Sequence, residues 1–425
     1  MGHLTPKSYY DLQQRLDKSP QGVPASDALF KILEILFTEK EAALVSVLPI
    51  NFFPVSKAAK IWKIDLAESE RILDGLADKG LLIDIPGQKE KSYALAPPMA
   101  GFFEFSLMRS DGKFDRKILS ELFHQYINVE EDFANKSLGF EPMIVRTFVQ
   151  EESLNPEQKL EILDYEKSRK VIDNATCITV GTCYCRHKME HLGKACDAPQ
   201  EVCLSFNNAA RSLANHGIAK EISKQEAHKI LDEVINLGLV QIGDNVQDSV
   251  GFICNCCGCC CEALLVYKRL GYNPKIHSNY FAQLNHDKCI GCGLCAKKCP
   301  VDAIDLTKND CVDFKRCIGC GVCTRFCSPK AITLKRRKDT AFVPKDVFER
   351  FVICAINTSK LQNLIFDNYH LWTYDLLRNL IGIILKLSPV KRTLANSQLR
   401  SRYLAKIIKL YSKGKHDYSH PELKQ

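Results

Sequence analysis

Residues 289–300 read CIGCGLCAKKCP, and residues 317–329 read CIGCGVCTRFCSP. Both carry the spacing C-x2-C-x2-C-x3-C, and the second begins 28 residues after the first. Three cysteines at this pitch can take three corners of one iron–sulfur cube, while the fourth points away and completes the other cube. Twin runs of this kind lock two cubes together. Zinc needs four ligands, commonly as two separated pairs, and does not call for two three-plus-one runs. One-electron transfer is the chemistry that follows.

The segment that holds both runs, 284–338, resembles the bacterial two-cluster ferredoxin, a βαβ pseudo-repeat. The resemblance implies one [4Fe-4S] cluster on Cys289, Cys292, Cys295 and Cys327, and a second on Cys317, Cys320, Cys323 and Cys299. Gly291, Gly293, Gly319 and Gly321 let the backbone wrap closely and aim N–H groups at the sulfides. Ser328 departs from the pattern by separating the last cysteine from its proline, which bears on fine tuning of a cluster.

Upstream stands a denser stretch, FICNCCGCCCEALL at 252–265, with six cysteines in eight positions. Of the 21 cysteines in the chain, eight belong to the twin runs, Cys311 and Cys354 stand apart, and eleven lie before residue 262. These are Cys177, then Cys183, Cys185, Cys196 and Cys203 in CYCRHKMEHLGKACDAPQEVC, then the six from Cys254 to Cys261. One further cubane needs four of them, and the surplus thiols suit a second, unusual cluster or S–H donation to the first. Ser223 with Glu226 marks a helix start between the two groups, and Gly238 a helix stop, so the groups can fold back onto one site. After Cys261, EALLVYKRLGY reads as a helix whose N-terminal dipole and free N–H groups favour thiolates.

Here the chain resembles a group of bacterial 4Fe-4S dicluster iron–sulfur proteins. In them a winged-helix-like N-terminal part and a C-terminal ferredoxin repeat flank a central CxCR…CxxPxExC…NxQ…ICNCC segment. CYCRH, CDAPQEVCL, NVQ and ICNCC stand in this order in the chain. That resemblance carries no reaction with it. The best four candidates for a third iron–sulfur cluster are Cys185, Cys196, Cys203 and Cys257, with Cys183, Cys254 and Cys256 in reserve. Zinc is the alternative, because C-x-C and adjacent pairs suit it too. Arg186, His187, Asp197 and Glu201 lie among these ligands and can donate protons or clamp an anion. Arg186 and His187 are the catalytic candidates, but Arg186 could equally pair with Glu201, and a histidine there could simply support the loop.

The remaining chain is ordinary in composition, with 46% hydrophobic and 25% charged residues, enough for two to four domains. Residues 27–100 read as three helices and a hairpin. Thr38 with Glu41 and Asp65 with Glu68 place two helix starts, Gly80 ends a helix, and LLIDI and SYALA form the strands. This order resembles a winged-helix domain. Its expected groove-reading helix, 66–79, carries four acids and two bases, which argues against nucleic acid and for docking. The net charge of +8 concentrates at the C-terminal end, where 386–415 holds nine Lys or Arg and no acid.

The expected architecture is α+β and multidomain. It comprises an N-terminal helical arm (1–26), a winged-helix-like domain (27–105), a cysteine-rich helical central domain (106–283), the two-cluster ferredoxin domain (284–338) and a helical basic C-terminal extension (339–425). The expected function is a relay of low-potential electrons through two ferredoxin clusters to a further cysteine-bound centre, then to a partner enzyme or small substrate. The chain would be an electron-transfer component or an oxidoreductase subunit. The competitors are a redox-responsive winged-helix regulator and a reductase whose substrate binds at the central cluster. No G-x-G-x-x-G or G-x4-G-K-[ST] pattern is present, so nucleotide cofactors would come on another subunit. The polar N-terminus and the lack of an apolar run near 18 residues point to a cytoplasmic protein, with peripheral membrane contact open to the basic extension.

Overall fold

Leu12, Leu16, Leu29, Leu33 and Leu36 are buried in one core, which draws the helix Lys7–Asp17 onto Asp27–Leu36 and Glu39–Ser46. The computed structural model describes residues 5–87, 89–109, 114–139, 141–271, 276–308, 311–367 and 377–383. Thr38 and Glu41 form a reciprocal capping box, each side chain accepting from the other's backbone N–H. Asp65 caps its helix by accepting from Glu68 N at 2.9 Å, whereas the Glu68 carboxylate turns forward to Arg71. Within residues 27–100 four helices, not three, precede the hairpin. The additional one, Val55–Trp62, starts directly after Pro54, which ends the two-residue strand β1 (Phe53–Pro54). The hairpin strands β2 (Leu82–Ile85) and β3 (Ser92–Leu95) complete an antiparallel sheet of order β1-β3-β2.

The cysteine-rich middle, expected to be helical, is built on a sheet. Strands β4 (Val145–Thr147), β5 (Ile178–Thr182), β6 (Glu201–Phe206), β7 (Lys220–Glu221), β8 (Val240–Asp244) and β9 (Phe252–Cys256) pair antiparallel in the order β4-β8-β9-β6-β5-β7. They are short, and β8 is buried along its whole length, so the alternation that advertises a strand is missing. The helix Lys224–Leu237 starts on the Ser223–Glu226 capping box and ends at Gly238, whose φ is +81°. Its Ala227, Leu231, Val234 and Ile235 pack with Leu204, Phe206 and Ile253 of β6 and β9. These contacts return the chain to the sheet and set β9 beside β6.

Strands β10 (Tyr280–Leu284) and β11 (Ile332–Arg336) form an antiparallel pair with Ala282 opposite Leu334. Between them run two like halves: a cysteine loop with a short helix, Leu294–Lys298 or Val322–Arg325, and an Ile304–Val312 bridge at the centre. Each short helix opens from a left-handed glycine, Gly293 (φ +71°) or Gly321 (φ +88°).

The helices Val347–Asn357 and Leu361–Ile365 turn back to the N-terminal core instead of extending away. Asp367 accepts from the backbone N–H groups of Ile50 (2.6 Å) and Asn51 (3.0 Å), and Lys360 Nζ donates to Asp17 O at 2.6 Å. The basic stretch 386–415 lies outside the described residues. Among the described residues no helix is long and apolar enough to cross a membrane.

Candidate metal centres

In the twin-run segment, Cys299, Cys317, Cys320 and Cys323 line one hollow with Ala282, Ile304, Ile318 and Leu334. This is the set that the ferredoxin resemblance assigns to one cluster. Burial pushes the Cys320 and Cys323 thiols up, and a metal bound to their sulfurs would displace those protons to solvent and hold both as thiolates. Backbone N–H groups already aim at sulfur: Ala282 N at Cys317 Sγ (3.4 Å), Ala303 N at Cys299 Sγ (3.3 Å) and Ala331 N at Cys327 Sγ (3.2 Å). Cys289, Cys295 and Cys327 lie near one another, and Cys292 is exposed beside Ile290, which is 72% exposed. The first set thus reaches solvent at Cys292, and the second is the more buried of the two.

Ten of the eleven upstream cysteines gather around the central strands β6 and β9 of the six-stranded sheet, in two groups. Cys196, Cys257, Cys259 and Cys260 form the first, with all four Sγ atoms within 4.8 Å of one another. The second is a file of six thiols, each an electrostatic neighbour of the next: Cys183 with Cys185, Cys185 with Cys261, Cys261 with Cys256, Cys256 with Cys254, and Cys254 with Cys203. The period of a strand places Cys254 and Cys256 on one face of β9. The pairing of Leu204 with Ile253 carries Cys203 of β6 alongside Cys254. Cys261 is the N-cap of the helix Glu262–Arg269, its sulfur close to the N–H groups of Ala263 and Leu264 without a capping hydrogen bond. Glu262 N points at Cys185 Sγ at 3.4 Å. The helix end expected to favour thiolates thus serves two of them.

Of the four cysteines expected as one ligand set, Cys196 and Cys257 join the first group, and Cys185 and Cys203 the file. The reserves Cys183, Cys254 and Cys256 all belong to the file. Sequence reasoning did not single out Cys259, Cys260 or Cys261; the triplet itself was the available signal. Cys177, Cys311 and Cys354 stand apart and buried, with Cys311 Sγ on Lys308 O and Cys354 Sγ on Pro142 O.

Arg186 lies between the two groups, fully buried. Its Nη1 donates to Asn255 O (3.1 Å) and reaches Cys257 Sγ (3.8 Å), while Nε and Nη2 have no hydrogen-bond partner. It does not pair with Glu201, which is exposed. A buried guanidinium with orphaned donors requires negative charge nearby, and the sulfurs of Cys183, Cys257 and Cys256 are what surrounds it. Lys188 is equally buried but is neutralised by Glu262, which also accepts from Tyr184 Oη at 3.2 Å. Glu104, half-buried near Cys254, is pushed up to about 7 by desolvation despite backbone donors at Gly101 and Ala100. His187 turns away from the thiols: its Nδ1 lies 2.6 Å from Leu107 O and its Nε2 3.2 Å from His191 Nε2.

Residues 282–305, which contain the first twin run, match the family model described as a 4Fe-4S binding domain. The chain is an iron–sulfur protein. No curated protein and no solved structure matches it. Cluster binding accounts for the spacing at Cys289, the N–H groups aimed at sulfur and the charge that Arg186 needs, and such clusters supply one-electron transfer when bound.

Proposed function

We propose that this iron–sulfur protein relays low-potential electrons through two ferredoxin-type [4Fe-4S] clusters to a third iron–sulfur centre in the buried cysteine file, and from there to a partner enzyme or a small substrate. The observation that carries this reading is a shared core. Cys256 and Cys261 of the file are buried in the same continuous apolar cluster as Cys295, Cys317, Cys320 and Cys323 of the twin runs. A shared packed interior of this kind suits a relay.

The burial gradient supplies a direction. Exposed Cys292, flanked by Ile290 and Leu294, suits contact with a redox partner protein, and the Cys317 set leads inward from it. The matched backbone of the two runs supports assigning Cys289, Cys292, Cys295 and Cys327 to one cluster and Cys299, Cys317, Cys320 and Cys323 to the other. Helices followed by an antiparallel hairpin support a winged-helix-like N-terminal part, and the acidic 66–79 helix favours protein docking over nucleic acid. The setting that fits these clusters is the cytoplasm.

The test is iron and acid-labile sulfide per chain after anaerobic purification, with electron paramagnetic resonance during stepwise reduction. About twelve irons and a signal beyond the coupled ferredoxin pair are expected. About eight irons, with no further signal, would remove the third centre.

A further inference from the structure

Cys196, Cys257, Cys259 and Cys260 close up more tightly than any other cysteine group among the described residues. Cys196 Sγ lies 3.6 Å from Cys257 Sγ, Cys259 Sγ 3.7 Å from Cys260 Sγ, and Cys260 Sγ 3.8 Å from Cys196 Sγ. Four thiolates around one ion, each at about 2.3 Å in a tetrahedron, stand about 3.8 Å apart. The observed spacings match that edge. A cubane places each thiolate on a different iron, so its ligands spread wider. The eight twin-run cysteines serve as an internal comparison, since they form no group within 4.8 Å.

The surroundings agree with a single ion. All four donors are soft sulfur, the set that selects zinc among divalent ions that do not build clusters. A tetrathiolate around a divalent ion keeps two negative charges. Arg186 Nη1 faces Cys257 Sγ, and Lys268 Nζ donates to Gly258 O at 2.9 Å, so two cations stand against them. Cys259 is exposed and Cys260 buried, which gives the ion an entrance from solvent and a closed inner side. Three of the four ligands fall within residues 257–260, so one ion would fix that loop.

We propose that Cys196, Cys257, Cys259 and Cys260 hold one tetrahedral divalent ion of the zinc class, separate from the iron–sulfur centre of the buried file. The ion clamps the 257–260 loop to the loop that carries Cys196, and Arg186 is the counter-charge shared by the two sites. The division of labour rests on the reading of the file given above; the zinc site itself does not.

The experiment uses the full chain purified without oxygen, with iron, sulfide and zinc counted per chain and zinc-edge X-ray absorption on the wild type. About one zinc per chain with four sulfur neighbours near 2.3 Å is expected. Cys259→Ser should lower zinc at least fivefold and leave iron unchanged, whereas Cys256→Ser should remove about four irons and leave zinc in place. A wild type without zinc, zinc bound by nitrogen or oxygen, zinc unaffected by Cys259→Ser, or a loss of about four irons in that variant each overturns the proposal. The absorption measurement does not depend on either variant folding. Zinc on four sulfurs together with only about eight irons upholds the zinc site and defeats the central iron–sulfur centre instead.

Discussion

Gly258 and Pro300 touch backbone to backbone: a Cβ at Gly258 would come within 2.9 Å of Pro300 Cα and overlap the Pro300 carbonyl. The dense cysteine loop therefore meets the ferredoxin segment at the residue following Cys299. Lys268 ties the same corner, through Gly258 O and through Asp302 at 3.5 Å. Gly258→Ala must push this contact apart, an overpacking that costs about 1–3 kcal/mol. The expected result is a lower melting temperature and slower electron transfer from the ferredoxin clusters to the central centre, with iron content preserved. Stopped-flow absorption after photoreduction checks it, and an unchanged inter-centre rate would mean the contact carries no electrons.

Arg186 offers a second handle, because its charge is buried among sulfur ligands and is matched by no carboxylate hydrogen bond. Reduction adds an electron to an already anionic centre, and a cation alongside favours it. Arg186→Gln should lower the midpoint potential of the central centre by roughly 60–150 mV, from a unit charge several ångströms away in a medium of intermediate dielectric. A redox titration followed by electron paramagnetic resonance reads the shift. A potential that stays put or rises, with the signal intact, would show that the guanidinium does not face the cluster.

How much of this was legible in the sequence differs from site to site, for a physical reason. The four cysteines of each twin run fall inside eleven residues and the spacing repeats, so local spacing announces both runs, even though the ferredoxin resemblance draws one cysteine of each set from the other run. The upstream cysteines divide according to sheet register. Cys254 and Cys256 share a face of β9, Cys203 reaches them from β6, and Cys257 lies past the end of β9 and joins Cys196 instead. No spacing rule announces that pairing, and the strands were themselves hidden because they are short and, in β8, burial along the whole length erases the period of two. The capping boxes at Thr38 and Ser223 were legible since each is complete within four residues.

The Lys188–Glu262 ion pair is the least legible of all, with partners 74 residues apart and both side chains buried. Lys188 also donates to Asn128 Oδ1 at 2.9 Å, which joins the helix Tyr184–His191 to the segment before residue 130. Glu262→Gln strands a buried ammonium and should destabilise the fold by about 3–5 kcal/mol. The double variant Lys188→Met/Glu262→Leu should recover most of that loss. Chemical denaturation of the three proteins checks the expectation; a double variant no more stable than the single would mean that the charges serve the cluster and not the fold.

His216 joins the N-terminal hairpin to the central sheet, with Nδ1 2.6 Å from Asp78 and Nε2 3.2 Å from Asp84 of β2. Burial disfavours its imidazolium, but the two carboxylates outweigh that and raise its pKa above the ordinary histidine value. Asp84 is likewise opposed by burial yet held below the usual carboxylate range by His216 and Ser212. In the unfolded chain the histidine titrates near 6.5. Its stabilisation is therefore complete below about pH 6.5 and fades as pH rises through the higher folded value, while that of Asp84 is present above about pH 4 and fades on acidification through its depressed value. The melting-temperature difference between wild type and His216→Gln should thus be largest near pH 6, worth about 1 kcal/mol, and shrink toward pH 9. A difference that is flat or grows over that range would mean the ring docks through shape alone, with no contribution from its charge.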